Sequence, residues 1–170
     1  MPAGLKQSSS TVAIGFKTTE SAANTFAQSS VDLNLSPLDR EVFVVTAINL
    51  DPIAPDAIAG TNTQTHTSLT TTSQTAVVNL NDSNCLATAN LDIRAAGMID
   101  SEIGFTRNGM ETPPATLDYI GIIATNDFFV QIKGSGNGAA KSVFGKLYGY
   151  RAVASADVYA ALVQSEVLSA

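Results

Sequence analysis

The side chains of this 170-residue chain that are able to do chemistry do not fall into a pattern that such chemistry needs. His66 is the single histidine and sits among threonines. A zinc centre needs several His, Cys or carboxylate ligands converging on one point, and no H-x-H or E-x-x-H spacing occurs. Ser and Asp are plentiful, so a Ser–His–Asp triad exists on inventory. Yet there is no G-x-S-x-G elbow, and triads are defined by geometry. His66 therefore reads as a surface or strand histidine. Cys85 is the only cysteine, so no intrachain disulfide forms. With no base or cation beside it, it reads as a small buried hydrophobe.

Two further stretches invite a site. Gly134–Ser142, GSGNGAAKS, approaches the phosphate-loop pattern G-x-x-x-x-G-K-[ST], but Ser135 and Ala140 stand where its two glycines belong. Val143–Val153, immediately after it, has β character rather than helical character. The stretch reads as a long flexible connection whose glycines serve positive φ. The acids Asp51, Asp56, Asp82, Asp92, Asp100, Asp118 and Asp127 stand singly. Glycosidase chemistry needs two carboxylates facing each other, and no D-x-D-x-D loop is present. Asp82, Asp100 and Glu102 leave a calcium site open, against the plainer account of scattered solvated charges. No catalytic set, cofactor or metal is expected.

Composition narrows the class. Hydrophobic residues are 45% of the chain, enough for a core, while charged residues are only 14%. Ser, Thr, Asn, Gln and Ala take their place. Charge is depleted at the centre of protein interfaces, so the surface suits a protein covered by neighbours; a compact β-protein with a Thr-rich face would look similar. Net charge is −6 and the nine basic residues are scattered. Direct nucleic-acid binding, which needs clustered Lys and Arg, is not expected. No polybasic segment for anionic lipid, no signal-peptide core and no apolar run of membrane-spanning length appears. Synthesis in the cytoplasm, without membrane insertion, is the expectation.

The elements that would position such residues are strands. Residues 1–10 are small and polar apart from Leu5, and predict a mobile arm, ordered only if it docks. Val12, Ile14 and Phe16 alternate with polar or small residues, as do Val31, Leu33 and Leu35 before Pro37. Glu41–Leu50, EVFVVTAINL, is apolar on both faces at Phe43–Val45, so both faces should be covered there. Strands are predicted across the Thr-rich Thr61–Val78, with a turn at Asn79–Asn84. Ala87, Ala89, Leu91, Ile93 and Ala95 then form one face of a strand, with Thr88, Asn90, Asp92 and Arg94 on the other. The inner residues are small, so something must approach closely. Next come a short strand within Ile99–Arg107, a turn at Asn108–Gly109 and a break at Pro113–Pro114.

Leu117–Val153 holds the clearest apolar runs and much of the aromatic content. It predicts two strands joined as a hairpin at Thr125–Asp127, the glycine connection, and a long last strand. On that strand Val143, Leu147 and Val153 take one face, and Phe144, Tyr148 and Tyr150 the other. Phe129, Phe144, Tyr148, Tyr150 and Arg151 are the candidates for a subunit interface, Arg151 reaching a chain end or a carbonyl. Cover by the terminal helix is the alternative. Ser155–Leu168 is the only convincing helix, with Ser155 as its cap and Asp157 at its positive end.

About eight or nine short strands, one terminal helix and no βαβ rhythm predict a single all-β domain over 1–170, an antiparallel β-sandwich or jelly roll with a helix at 155–168. In pattern the chain resembles the small jelly-roll capsid proteins of icosahedral viruses. The likeness lies in the strand number over this length, the small-residue arm, and the closing strand KSVFGKLYGYRA with a tail after it. No diagnostic motif accompanies it, so no family residue carries over. Capsid proteins that package single-stranded RNA often carry a basic arm, whereas Lys6 is the only basic residue here. The resemblance thus implies a virion structural protein, not an enzyme, from a DNA virus whose shell does not condense the genome, or an outer decoration protein. Its partners would be copies of itself and other capsid proteins. A carbohydrate-binding or adhesin-type β-sandwich remains open, as does a small β-barrel enzyme.

Overall fold

Short runs of β-branched and aromatic residues at period two set the strands. A computed structural model of the chain describes residues 1–97, 105–110 and 117–170. The strands are β1 (Leu5–Gln7), β2 (Val12–Thr19), β3 (Ala27–Asp32), β4 (Glu41–Pro52), β5 (Thr63–Thr70), β6 (Cys85–Arg94), β7 (Phe105–Met110), β8 (Gly121–Ile123), β9 (Asp127–Ser135) and β10 (Ser142–Ala154). One helix ends the chain, α1 (Ala156–Leu168). Among the described residues no helix is long and apolar enough to cross a membrane.

Two antiparallel sheets hold these strands. The first runs β1–β10–β4–β8, with β2 also on β10; the second runs β3–β9–β5–β6–β7. Four pairs organise them: β2 with β10, β3 with β9, β4 with β8 and β5 with β6. These are successive rungs of one long hairpin, rolled so that alternate rungs fall in alternate sheets. That is a single jelly roll.

The hairpin predicted at Thr125–Asp127 does not form. β8 pairs with β4 in the first sheet and β9 with β3 and β5 in the second, so the turn carries the chain from one sheet to the other. The strands predicted across Thr61–Val78 end at Thr70, and residues 73–78 lie over the outer face of the second sheet, tied to Gln28 and Ser68. The predicted strand through Leu33 and Leu35 ends at Asp32, although both leucines are buried. Asn108 and Gly109 lie inside β7 rather than in a turn. Ile99, Ile103 and the Pro113–Pro114 break are outside the described residues, as are Asp100 and Glu102.

Residues 1–10 dock on the chain itself. Leu5–Gln7 pairs with Ala152–Ala154, Ser8 N donates to Arg151 O (2.9 Å), and Ser9 Oγ accepts from Arg151 N (2.9 Å). Ser155 does not cap α1 with its side chain. Its backbone is extended and its N–H bonds Gly4 O at 3.0 Å, so the residue serves the β1 junction instead.

Core packing arises from β4 and β10. Phe43, Val45, Val143 and Leu147 face the space between the sheets, where they meet Leu69, Phe128, Val130 and Ile132. Phe16 and Phe128 join the sheets edge to face, their centroids 5.6 Å apart. On the opposite face Val42, Val44, Tyr150 and Ala152 pack under Val158, Tyr159, Leu162 and Val163 of α1. The cover predicted for both faces of β4 is therefore present. Tyr148 pairs with Ala47 and Gly149 with Val45, which leaves Thr46 as an extra residue in β4. This bulge reverses the parity of β4, so Ile48 and Leu50 after it also point inward. Gly149 sits at this bulge because nothing larger fits: a Cβ there would collide with Val44 O and with the Phe43 ring.

Glu166, in the last turn of α1, is buried and fastens the helix to the β8–β9 turn. Its carboxylate accepts from Ala124 N (2.9 Å), Thr125 N (3.2 Å) and Thr125 Oγ1 (2.8 Å). Burial pushes its carboxyl above the ordinary value of 4.5, and these hydrogen bonds oppose the rise only in part.

Two measurements test this packing. Gly149→Ala should destabilise the fold by about 1–3 kcal/mol in denaturant unfolding; an unchanged midpoint would mean that β4 moves aside freely. For Glu166 the folded state favours the protonated form, so its contribution is complete below pH 4.5 and falls as pH rises through the folded value. The stability of the wild type relative to Glu166→Gln should therefore decline as pH is raised from about 4 to about 7; parallel curves would show that the carboxyl is not perturbed.

Candidate functional site

The outer face of the first sheet is divided in two. Helix α1 covers the half that carries Tyr150, Ala152 and Ala154. The other half, around residues 144–148 of β10, has no helix over it among the described residues. Register places Lys17 and Asp51 on either side of Phe144, Gly15 and Asn49 beside Lys146, and Ala13 and Ala47 beside Tyr148. Phe144 is 40% exposed, with the Lys17 ammonium 5.4 Å from its ring centroid, a cation–π arrangement. Tyr148 is half-buried between exposed alanines. Small neighbours let another surface approach these two rings closely. Among the described residues no strand pairs with the far edge of β2, which borders this face.

The five residues expected at one interface lie in three places. Phe144 and Tyr148 share the open face. Tyr150 is buried, 9% exposed, beneath α1. Arg151 is occupied within the chain: Nη2 donates to Leu33 O (2.7 Å), and Nη1 to Asn34 O (3.0 Å) and Glu41 Oε2 (3.2 Å). The expected carbonyl contact exists, but it holds the β3–β4 connection rather than a neighbour. Phe129 stands half-buried on the outer face of the second sheet, opposite Ser30 and Thr70.

The glycine connection is stitched down rather than free. Glu20 accepts from Gly134 N (2.6 Å) and Lys141 N (2.8 Å), and Asp56 from Gly138 N (2.9 Å) and Lys141 Nζ (2.5 Å). Asn137 is tied to Asn24, Asp56 and Gln64. The amides that would cradle a phosphate thus already hold the chain's own carboxylates, and Lys141 is neutralised. Its hydrogen bond keeps the Asp56 carboxyl below the ordinary range. Neither Glu20 nor Asp56 carries a local sequence signal for this role, because each lies far along the chain from the loop it binds.

His66 has a partner that spacing does not reveal. Its Nε2 lies 3.0 Å from Oδ1 of the buried Asp92, whose other oxygen is 4.0 Å from Arg94. This is the His–Asp half of a triad. Among the described residues no serine hydroxyl is hydrogen-bonded to the ring. Cys85 is half-buried, with Sγ 3.5 Å from Ala87 O. Among the described residues no group of three or more His, Cys, Asp or Glu converges on a metal-sized space. Asp82 organises its own turn by accepting from Asn84 N (2.9 Å).

No protein-family model matches the sequence, and a search of curated proteins gives no match. Among solved structures the chain is similar to one from Desmodium yellow mottle tymovirus, at 14% identity, over 91% of this chain and 93% of that one, with a TM-score of 0.32. A TM-score of that size does not establish a common fold.

The two halves of the outer face should respond differently to truncation. Tyr150→Ala should cost about 3–5 kcal/mol of stability, as loss of a buried aromatic does, while Phe144→Ala should stay within about 0.5 kcal/mol. Equal losses in denaturant unfolding would mean that both halves serve the fold alone.

Proposed function

We propose that the chain is a non-enzymatic structural protein of a virus particle, and that copies of it assemble into the shell. The observation that carries this is the strand pairing, a single jelly roll, which is the architecture of viral capsid domains as well as of lectins and cupins. Fold alone is an analogy, and the surface adds direction. The open half of the first sheet presents Phe144 and Tyr148 beside Lys17 and Lys146 on a chain of net charge −6. Asp51 flanks Phe144 opposite Lys17, so the face carries charges of both signs that a second copy can match, and aromatic residues are favoured where subunits meet.

On this reading the protein resides in the virion after synthesis in the host cytoplasm. Its partners are its own copies and other shell proteins. Assembly uses the open aromatic face, while the helix-covered half supports the fold.

Light scattering and electron micrographs of the purified protein test the proposal. Closed shells, rings or lattice patches are expected. Phe144→Asp combined with Lys146→Glu should lower the assembled fraction at least tenfold without changing the unfolding midpoint of the subunit. A strictly monomeric wild type at high concentration would overturn the proposal, and glycan-array binding by that monomer would point to a sugar-binding module.

A further inference from the structure

We infer that the cleft between His66 and Lys133 on the outer face of the second sheet binds a small ligand through one oxyanion group, a phosphate or a carboxylate. This holds whether or not the chain forms a shell. His66 and Lys133 are direct cross-strand partners on β5 and β9, and Gln64 and Ser135 form the next pair on the same face. Inward-facing Thr65, Thr67 and Ile132 fix the parity, so all four polar side chains point outward. The cleft they line has a volume of about 340 Å³, and Ala76 and Val77 of the β5–β6 connection form its apolar wall.

That wall is held in place. Val78 N donates to Ser68 Oγ (3.3 Å), Gln74 N to Gln28 Oε1 (2.8 Å), and Gln28 Nε2 to Ser73 Oγ (2.8 Å). Behind them the buried Gln131 joins Ser68, Thr70 and Gln28 through bonds of 2.7, 2.7 and 2.9 Å. The connection is therefore a preformed side of the site.

The charge of the cleft selects the ligand. Asp92 is buried and is already engaged by His66 Nε2 and approached by Arg94. It orients the imidazole and leaves Nδ1 as the remaining ring nitrogen. Lys133 is exposed, and among the described residues no carboxylate lies within 4.0 Å of its ammonium. The Lys133 ammonium thus faces the His66 ring across adjacent strands, while Asp92 is held by the far side of that ring. An oxyanion in the cleft pairs with the Lys133 ammonium, for which the chain supplies no carboxylate among the described residues. The Gln64 amide and Ser135 hydroxyl supply neutral donors for the rest of the ligand.

Calorimetric titration of the intact protein with inorganic phosphate, glucuronate and glucose tests this. Saturable binding of phosphate, glucuronate or both at one site per subunit is expected, with none for glucose; which anion binds identifies the group. Lys133→Met and His66→Gln should each weaken that binding at least tenfold with the unfolding midpoint unchanged. Lys146→Met, on the other sheet, should leave it unaltered. The inference is overturned if neither anion binds saturably, if glucose binds as well as glucuronate, or if Lys146→Met weakens binding as much as Lys133→Met.

Discussion

Burial on both faces of β4 and β10 is the constraint on which the rest of the molecule depends. These strands lie side by side over almost their whole length, from Val143–Pro52 to Val153–Glu41. One face builds the core between the sheets and the other needs a separate cover. The cover is α1, held at its start by Ser155 N on Gly4 O and in its last turn by Glu166. The Thr46 bulge lets β4 keep apolar residues inward on both sides of a parity change. Gly149 permits the close approach that the bulge requires.

Carboxylates perform the other structural task. Glu20, Asp56 and Glu166 each collect backbone amides from a turn distant in sequence. A turn leaves donors that sheet ladders do not use, and an unpaired buried N–H costs about 1–3 kcal/mol. A carboxylate accepts several at once. In a chain with only 14% charged residues, three of the fifteen acidic side chains are therefore committed to joining loops.

Much of the fold is legible in the sequence because it is written in local periodicity. The run at Phe43–Val45, the alternation from Ala87 to Ile93, the two faces of β10 and the terminal helix are all of this kind. Other features depend on partners that periodicity does not name. Thr125–Asp127 has ordinary turn chemistry, and only tertiary pairing decides that β8 and β9 part into different sheets. Ala76–Val78 is apolar enough for a strand, but it lies over a polar network around Gln131 instead. The candidate sites show the same division. The sequence places Phe144 and Tyr148 on one face, but not the arm and helix that bury Tyr150, nor the carbonyls that occupy Arg151. His66 is conspicuous as the only histidine, while Asp92 and Lys133 become its neighbours only through register.

The rolled pairing also imposes an order of events on folding. Every ladder of the first sheet joins segments far apart in sequence; β2, for instance, meets a strand that begins at Ser142. In the second sheet β5, β6 and β7 are consecutive and pair in sequence. Closing short loops costs less entropy than closing long ones, and non-local pairing is slow. The β5–β6–β7 meander is thus the natural nucleus. The first sheet closes late, when β10 enters between β2 and β4, and until then the apolar faces of β4 stay uncovered. The interval before β10 docks is when this chain is most prone to aggregate.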